Sequence, residues 1–315
     1  MSRLVAVTGA TGFIGQHLLK LLASRGHRLR LLVRSLPSSL PVCDPPIELQ
    51  PGDLRDRAAL ERLVEGADAV VHLAGAIKAL TEADFHAVNV DAVAALAGAT
   101  ARHAQLDAHF LLMSSLAARE SALSAYAATK RAGEDALSAL GPKQRRTVVR
   151  APAVYGPGDR ETLVFFKAAA RGWSMVPAGT DGRVALIHVQ DLCAAVAGII
   201  DRPPPDDIYE IDDGTEGGHT LRSMAAVAAE IMGRKVRIAK LPHRALGSYA
   251  ALQQITARMR GQPAIVSAGK VRELLHPDWS VHDRRLAAWL RLGPAIELRA
   301  GFAETVGWYR AQRWL

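Results

Sequence analysis

Short apolar runs alternate with longer helical patterns along the first two hundred residues. Leu4–Val7 is a continuous apolar run and predicts a strand; Ile14–Arg25 then carries Leu18, Leu19, Leu21 and Leu22 at helical spacing. The alternation continues with strands predicted at Arg28–Val33, Ile47–Gln50, Ala69–Leu73, His109–Met113 and Thr147–Arg150, and helices at Arg57–Glu65, Asp84–Ala104 and Ala125–Leu140. Ala69–Leu73 and Phe110–Met113 are apolar without a period of two, as strands are when both faces of their sheet are covered. Strand–helix repetition of this kind predicts an α/β fold built on a doubly wound parallel sheet.

The texture changes after Arg150, where Pro152, Gly156, Pro157 and Gly158 punctuate the chain. A strand at Val184–Val189, a helix from Asp191 to Ile200, a linker at Pro203–Pro205 and a final sheet strand at Ile208–Ile211 follow. From Thr220 onward helices and short connections predominate. The expected organisation is one domain of residues 1–155, to which 184–212 return, and a smaller, mainly helical domain made of 156–183 and 213–315.

Composition narrows the class. Of the 315 residues, 49% are hydrophobic and 22% charged, enough apolar material for a packed core and too little charge for disorder. No run of 18 or more apolar residues occurs, so no membrane partner is expected, and the first apolar stretch ends at Gly9, too early for a signal peptide. The two cysteines, Cys43 and Cys193, stand apart and in no metal spacing, which predicts neither disulfide nor metal site and a cytoplasmic setting. The net charge is +8. The arginines are scattered, densest at Lys143–Arg146 and Arg258–Arg260 and without interleaved aromatics, so they read as a solvated surface and no nucleic-acid partner is expected.

Candidate chemistry begins at the first strand–helix junction. Gly9 permits a tight turn, Gly12 lets backbone approach a pyrophosphate, and Gly15 lets the helix pack close to its strand. The helix N-terminus offers free N–H groups to phosphate. The second strand ends in Val33, Arg34 and Ser35 with no carboxylate in reach. An acidic residue there would hold the ribose hydroxyl of NAD, so Arg34 favours NADP, with NAD the alternative. Asp53, after the third strand, is a candidate acceptor for the adenine amino group or a cap for the following helix.

Ser114 and Ser115 close the fifth strand, and Tyr126 and Lys130 open the next long helix at i and i+4, on one face. A lysine ammonium one turn from a tyrosine stabilises its phenolate and lowers its pKa toward the working range. A serine hydroxyl beside them can hold a substrate oxygen while hydride passes to or from a nicotinamide.

With these residues in place, the chain resembles the extended short-chain dehydrogenases, also called the NAD-dependent epimerase/dehydratase family. The matching motifs are Thr8 to Gly15 (TGATGFIG), Asp53, His72 to Gly75 (HLAG), Asn89, Ser114–Ser115, Tyr126 with Lys130, Arg150 to Pro157 (RAPAVYGP), His188 to Asp191 (HVQD) and the closing segment from Leu292 to Arg310. The resemblance covers essentially the whole chain. It implies a Rossmann-type cofactor domain with a smaller substrate domain, Ser115 with Tyr126 and Lys130 as the catalytic set, and Ser114 as the fallback serine. It further implies a cofactor cleft lined by Gly9, Thr11, Gly12, Phe13, Ile14, Gly15, Arg34, Asp53, Leu54, Leu73, Ala74, Gly75, Lys130, Pro152 and Val154. Asn89 is expected to support a helix; His188 and Asp191 are expected to be structural, with Asp191 capping the helix that follows.

Departures from the family pattern bear on the reaction. Dehydratases carry an Asp–Glu pair beside the serine, where this chain has Leu116 to Glu120 (LAARE); nucleotide-sugar members carry asparagine where this chain has Ala153. Many of the latter place an arginine four residues before the His–Val motif, where this chain has Val184 beside Arg183. The connection from Ser115 to Tyr126 is also short. These points favour reversible interconversion of a carbonyl and a secondary alcohol on a small-molecule substrate. The alternatives are nucleotide-sugar epimerisation through a keto intermediate and, in another class, a non-catalytic NADP-binding sensor or assembly factor, against which the intact Ser115, Tyr126 and Lys130 argue. The Ala-rich helices Asp84–Ala104 and Ala125–Leu140 suit close packing; the resemblance implies that they form a homodimer interface, and burial within the monomer is the competing reading.

Overall fold

The structure is a computed structural model describing residues 2–36, 40, 46–139, 145–178, 182–260, 262 and 267–315, apart from the side chains of 255, 258 and 259. Cys43, residues 143 and 144 of the basic group, and Leu140 lie outside the described residues. The strands up to the end of the first α/β succession are β1 (Leu4–Thr8), β2 (Arg28–Val33), β3 (Glu48–Pro51), β4 (Ala69–His72), β5 (His109–Ser115) and β6 (Arg145–Ala151). Next come β7 (Ala153–Tyr155), β8 (Trp173–Pro177), β9 (Arg183–Val184), β10 (Leu186–His188) and β11 (Asp207–Glu210). The last three are β12 (His219–Thr220), β13 (Arg237–Leu241) and β14 (Asp278–Trp279).

One seven-stranded sheet runs β11-β6-β5-β4-β1-β2-β3, every pair parallel. The chain winds outward from β1 through β2 and β3, then crosses to β4 and winds the other way. That reversal opens a crevice beyond the carboxyl ends of β1 and β4, the place where doubly wound sheets bind ligands.

The helices in chain order are α1 (Phe13–Ser24), α2 (Arg57–Val64), α3 (Glu82–His86), α4 (Ala92–His103), α5 (Ala125–Ser138), α6 (Leu163–Ala170) and α7 (Val189–Asp201). They continue as α8 (Leu221–Ile231), α9 (His243–Met259), α10 (Ala268–Leu275), α11 (Arg285–Leu290) and α12 (Leu298–Ala311). Because both faces of the sheet are apolar, it is covered twice. Leu18, Leu22, Val196 and Ile199 of α1 and α7 pack with Leu31 and Leu111 on one side. Leu60, Leu63, Leu96 and Leu137 of α2, α4 and α5 pack with Phe110 and Leu112 on the other. A third core joins β7, α6, α8 and α12 through Tyr155, Phe166, Met224, Phe302 and Tyr309; the Phe166 and Phe302 rings meet edge to face at 4.9 Å.

Two expected elements are broken. The strand expected at Val184–Val189 divides at Ala185: β9 pairs with β12 and β14, whereas β10 pairs with β7. The helix expected at Asp84–Ala104 is α3, a π-helical turn at Ala87–Asp91, and α4. Its apolar period continues through the break, so the pattern alone conceals it. The break coincides with Asn89, whose side chain bonds out of the helix.

Candidate active site

The glycine loop lies at the mouth of the crevice. Gly9 has φ +72°, and a Cβ on it would stand 2.6 Å from the Ala74 backbone nitrogen; a Cβ on Gly15 would run into the Gly9 and Ala10 carbonyls. Glycine is therefore required at both by the close approach of β1, α1 and the segment after β4. No side chain caps α1, whose N-cap is Gly12. The leading N–H groups of Phe13, Ile14 and Gly15 thus face the crevice without an intrahelical partner, as a phosphate-binding terminus requires. Thr11 is exposed beside them. Leu73 donates to the Thr8 carbonyl at 3.2 Å, and Leu73, Ala74 and Gly75 line the other wall. His72, beneath, is fully buried, with Nδ1 2.7 Å from Thr8 Oγ1; burial and the nearby Lys130 charge push its pKa down to about 3, so it is neutral.

Arg34, at the carboxyl end of β2, is exposed and makes no hydrogen bond or ion pair with the described residues. Asp53 is exposed as well, its carboxylate accepting, among the described residues, the Arg55 N–H at 2.7 Å. Of the two roles expected for Asp53, which need not compete, the cap is taken by Asp56, which accepts from Ala59 N at 3.0 Å at the start of α2. Leu54 is half-buried next to it. Pro152 and Val154 are half-buried on the far side. The turn after β7 is tied to α1 by His17, whose Nε2 lies 2.7 Å from the Pro157 carbonyl.

Ser115, Tyr126 and Lys130 meet at the carboxyl end of β5. Ser115 ends the strand and caps the following 3-10 segment, accepting from Ala117 N at 3.2 Å. Ser124 caps α5, accepting from Ala127 N at 2.9 Å, which fixes the helix two residues before Tyr126. The Ser115 hydroxyl stands beside the Tyr126 phenol, close enough to favour its ionised form. Lys130 is buried, its ammonium donating to the Met113 carbonyl at 2.6 Å; a Cβ on Gly75 would lie 3.7 Å from Lys130 Nζ, so the cofactor wall and the lysine are neighbours.

The electrostatics correct one expectation. Lys130 is expected to lower the Tyr126 pKa, yet burial pushes the phenol up, the neighbouring Ser115 hydroxyl opposes this, and the Glu273 carboxylate adds to the rise. Lys130 itself is pushed down to about 8 by burial, against the pull of Glu134. Desolvation outweighs the one-turn spacing at both groups.

The two serines have different surroundings. Ser114 donates to Glu134 Oε1 at 2.5 Å, and Glu134, fully buried, accepts from Arg150 Nε at 2.9 Å and Nη2 at 2.6 Å. Ser114 therefore points away from Tyr126, into a charged strut linking β5, α5 and β6. Sequence reasoning misses Glu134, although it continues the i, i+4 series of Tyr126 and Lys130 along one helix face. It also misses Glu273 of α10, which is buried, accepts from Ser124 Oγ and pairs with Lys270 at 3.1 Å. Nothing local in the sequence marks Glu273.

Other expected residues have structural surroundings. Asn89 donates to the Ala76 carbonyl at 3.0 Å and to Thr129 Oγ1 at 3.1 Å, and accepts from Ala76 N at 2.8 Å. It thereby ties the cofactor wall to α5. Asp191 does not cap α7: His188 does, with Nδ1 3.4 Å from Gln190 N, because the helix starts at Val189. Asp191 instead accepts from Ile296 N at 2.9 Å. In the segment after Ser115, Arg119 turns away to Glu210 and to the Ser280 carbonyl, 2.8 Å distant. Cys193 is buried, its thiol pushed up to about 12. Among the described residues no group of three or more His, Cys, Asp or Glu could hold a metal ion, and no helix is long and apolar enough to cross a membrane.

The glycine cradle, the uncapped helix terminus and the buried lysine beside Gly75 fit a nicotinamide dinucleotide. Comparison with known proteins agrees. The profile of the NAD dependent epimerase/dehydratase family matches residues 5–212. A ceramide reductase of Caulobacter vibrioides (strain NA1000 / CB15N) is 43% identical over 311 residues, covering 99% of this chain and 96% of that one. A 4-hydroxy-2-methyl-3-oxo-4-farnesyl-3,4-dihydroquinoline-1-oxide ketoreductase of Stigmatella aurantiaca is 27% identical, covering 92% of this chain and 96% of that one. The UDP-glucose 4-epimerase of Thermus thermophilus, solved in complex with NAD, superposes with a TM-score of 0.72 at 22% identity, over 98% of this chain and 99% of that one.

Proposed function

The chain belongs to the NAD dependent epimerase/dehydratase family, as an oxidoreductase of the extended short-chain dehydrogenase type, and from that premise we propose that it reduces a carbonyl on a ceramide-type lipid at the expense of NADPH. The observation that carries the reading is the meeting of Ser115, Tyr126 and Lys130 beside the wall of the cofactor crevice. When bound, the reduced nicotinamide supplies the hydride. Ser115 holds the substrate oxygen, and the Tyr126 hydroxyl gives that oxygen its proton as the C=O bond becomes C–OH. The upward push on the Tyr126 pKa suits a proton donor, since the phenol keeps its hydrogen until it is needed. Lys130 places positive charge next to the phenolate left behind.

The preference for NADP rests on Arg34, exposed at the end of β2 and without an ion pair among the described residues, with Ser35 next to it and no carboxylate at the strand end. An apolar substrate is supported by the surroundings of Tyr126. The Phe85 ring lies 6.4 Å from it; Ile77 and Leu80, shortly before Phe85 in the chain, and Leu274, next to Glu273, are exposed. Ala153, where nucleotide-sugar enzymes place a diphosphate contact, supports the same reading. We take residues 1–155 with 184–212 as the cofactor domain and 156–183 with 213–315 as the substrate domain. The setting is cytoplasmic and the assembly a homodimer through α4 and α5; on α4, Ala94 and Gly98 are small and half-buried.

The test is oxidation of NADPH and NADH by purified protein with an N-acylated long-chain amino ketone as substrate. Alcohol forms in proportion to NADPH consumed, faster than with NADH. Tyr126→Phe lowers kcat by at least about 100-fold with cofactor binding retained. Full turnover in Tyr126→Phe, or tightly held NAD without net consumption of added NADPH, would remove the reductase reading in favour of a different chemistry.

A further inference from the structure

The sequence reads as basic and scattered, yet its charge is not evenly spread. Of the 39 Lys and Arg in the chain, nine fall between Ile231 and Arg272, a stretch holding none of the 31 Asp and Glu. That excess alone accounts for the net charge of +8; the rest of the chain is close to neutral. The fold gathers part of this segment with the end of α6. Arg171, Arg234, Lys235 and Arg237 line one cleft of about 430 Å³ with Trp173. None of the four cations forms an ion pair with a described residue, and Glu230, the acid nearest in sequence, is occupied by Arg299 at 2.5 Å. Burial does not explain the cluster, because all four are exposed.

Apolar side chains accompany the charge. On β8 the outward residues are Trp173 and Met175, 48% and 60% exposed, while Ser174 and Val176 face inward. Arg237 sits opposite Trp173 in the β8–β13 register, its guanidinium 5.9 Å from the indole ring. On α6, Val164, Lys167 and Arg171 recur at i, i+3 and i+7 on the exposed side, with Val164 67% exposed. A solvated surface gives no reason to set tryptophan, methionine and valine outward among unpaired cations. Tryptophan and basic side chains are the residues that settle at the boundary between headgroups and acyl chains, where the cations attract an anionic leaflet.

We propose that this face, made by the α6 end, β8 and the start of β13, docks the enzyme on a phospholipid bilayer bearing anionic headgroups. The contact is peripheral: the apolar tips reach the boundary of the acyl chains while the cations stay among the headgroups. The shared presence of cations and apolar tips favours a bilayer over a nucleic acid, which would meet the charge but offer no apolar phase to Val164 and Met175. The inference stands apart from the choice of substrate, since it concerns a surface that shares no residue with the candidate catalytic set.

The experiment is co-sedimentation of the full chain with phosphatidylglycerol–phosphatidylcholine vesicles and with phosphatidylcholine vesicles, without substrate. Binding is expected on the anionic vesicles only, and is expected to weaken in about 0.5 M salt, where charges are screened within a few ångströms. Arg234→Glu with Lys235→Glu lowers the partition coefficient at least about tenfold. Trp173→Ala lowers it about threefold while leaving turnover of a soluble carbonyl unchanged. Should the charge-reversed chain fail to fold, the lipid and salt dependence of the unaltered chain decides alone. Equal partition onto both vesicles, binding insensitive to salt, or retention on an RNA homopolymer with none on vesicles overturns the proposal.

Discussion

Lys130 shows how a single side chain can be costly to the fold and indispensable to the chemistry proposed for it. Its pKa of about 8 lies below the ordinary lysine value of 10.5. Between these values the unfolded chain holds a proton that the folded chain has released, so stability rises with pH across that window. Below about pH 8 the cost of the buried charge is fully present, on the order of 3 kcal/mol, against about 1–3 kcal/mol lost with its hydrogen bond to Met113. Lys130→Met is therefore expected to melt no lower than the parent at pH 7, with that balance turning against it at pH 10, while turnover falls at least about 100-fold. A thermal melt at both pH values beside an activity assay checks it; a lower melting point at pH 7 would show that the hydrogen bond matters more than the desolvated charge. For the parent, kcat/KM for reduction should be level below about pH 8 and decline above it, because Lys130 loses its charge there while Tyr126 keeps its proton. The spacing of Tyr126 and Lys130 was legible in the sequence. The carbonyl that holds the lysine was not, because a backbone acceptor leaves no mark in composition.

At the scale of elements, α5 is held in place by contacts on several sides. Glu134 ties it to β5 and β6 through Ser114 and Arg150, Ser124 ties it to α10 through Glu273, and Gly133 touches the π-helical turn. A Cβ on Gly133 would run into the Asn89 carbonyl oxygen, a backbone atom with no freedom to withdraw. Gly133→Ala should thus cost about 1–3 kcal/mol in urea unfolding despite alanine's better helix propensity. Stabilisation instead would mean that the turn and α5 can separate. Glu134→Ala is the harsher change: it strands the largely buried Arg150, side chain 11% exposed, and is expected to cost about 3–5 kcal/mol. The helical period revealed where α5 lies. It could not reveal the break between α3 and α4, where the Asn89 side chain bonds to Ala76, in the segment after β4 and thirteen residues away in sequence.

At the scale of the whole molecule, the sheet was legible because each buried strand carries its own apolar run, and the crevice because β1, the glycine loop and α1 are adjacent in sequence. What joins distant segments was not: Glu273 reaches Ser124 across 149 residues, and the basic cleft unites Arg171 with Arg237 only after β8 and β13 pair. The competing readings of the two Ala-rich helices meet in the same way. Gly133 is spent on packing inside the monomer. Ala94, Ala95 and Gly98 of α4 line a cleft together with Arg57, Glu61, Asp91 and Arg102. Small residues there allow a second helix pair to approach closely, and the flanking charges of both signs suit a two-fold arrangement in which each meets its opposite. The 33.7 kDa chain is then expected to scatter light as a species of twice that mass. Ala94→Arg has room in the monomer, where the residue is half-buried, but places a long side chain in the path of the partner helix. It should halve the mass and leave the melt of the isolated chain near its former value. A parent that already scatters as a single chain would assign these small residues to the monomer alone and leave α4 facing solvent.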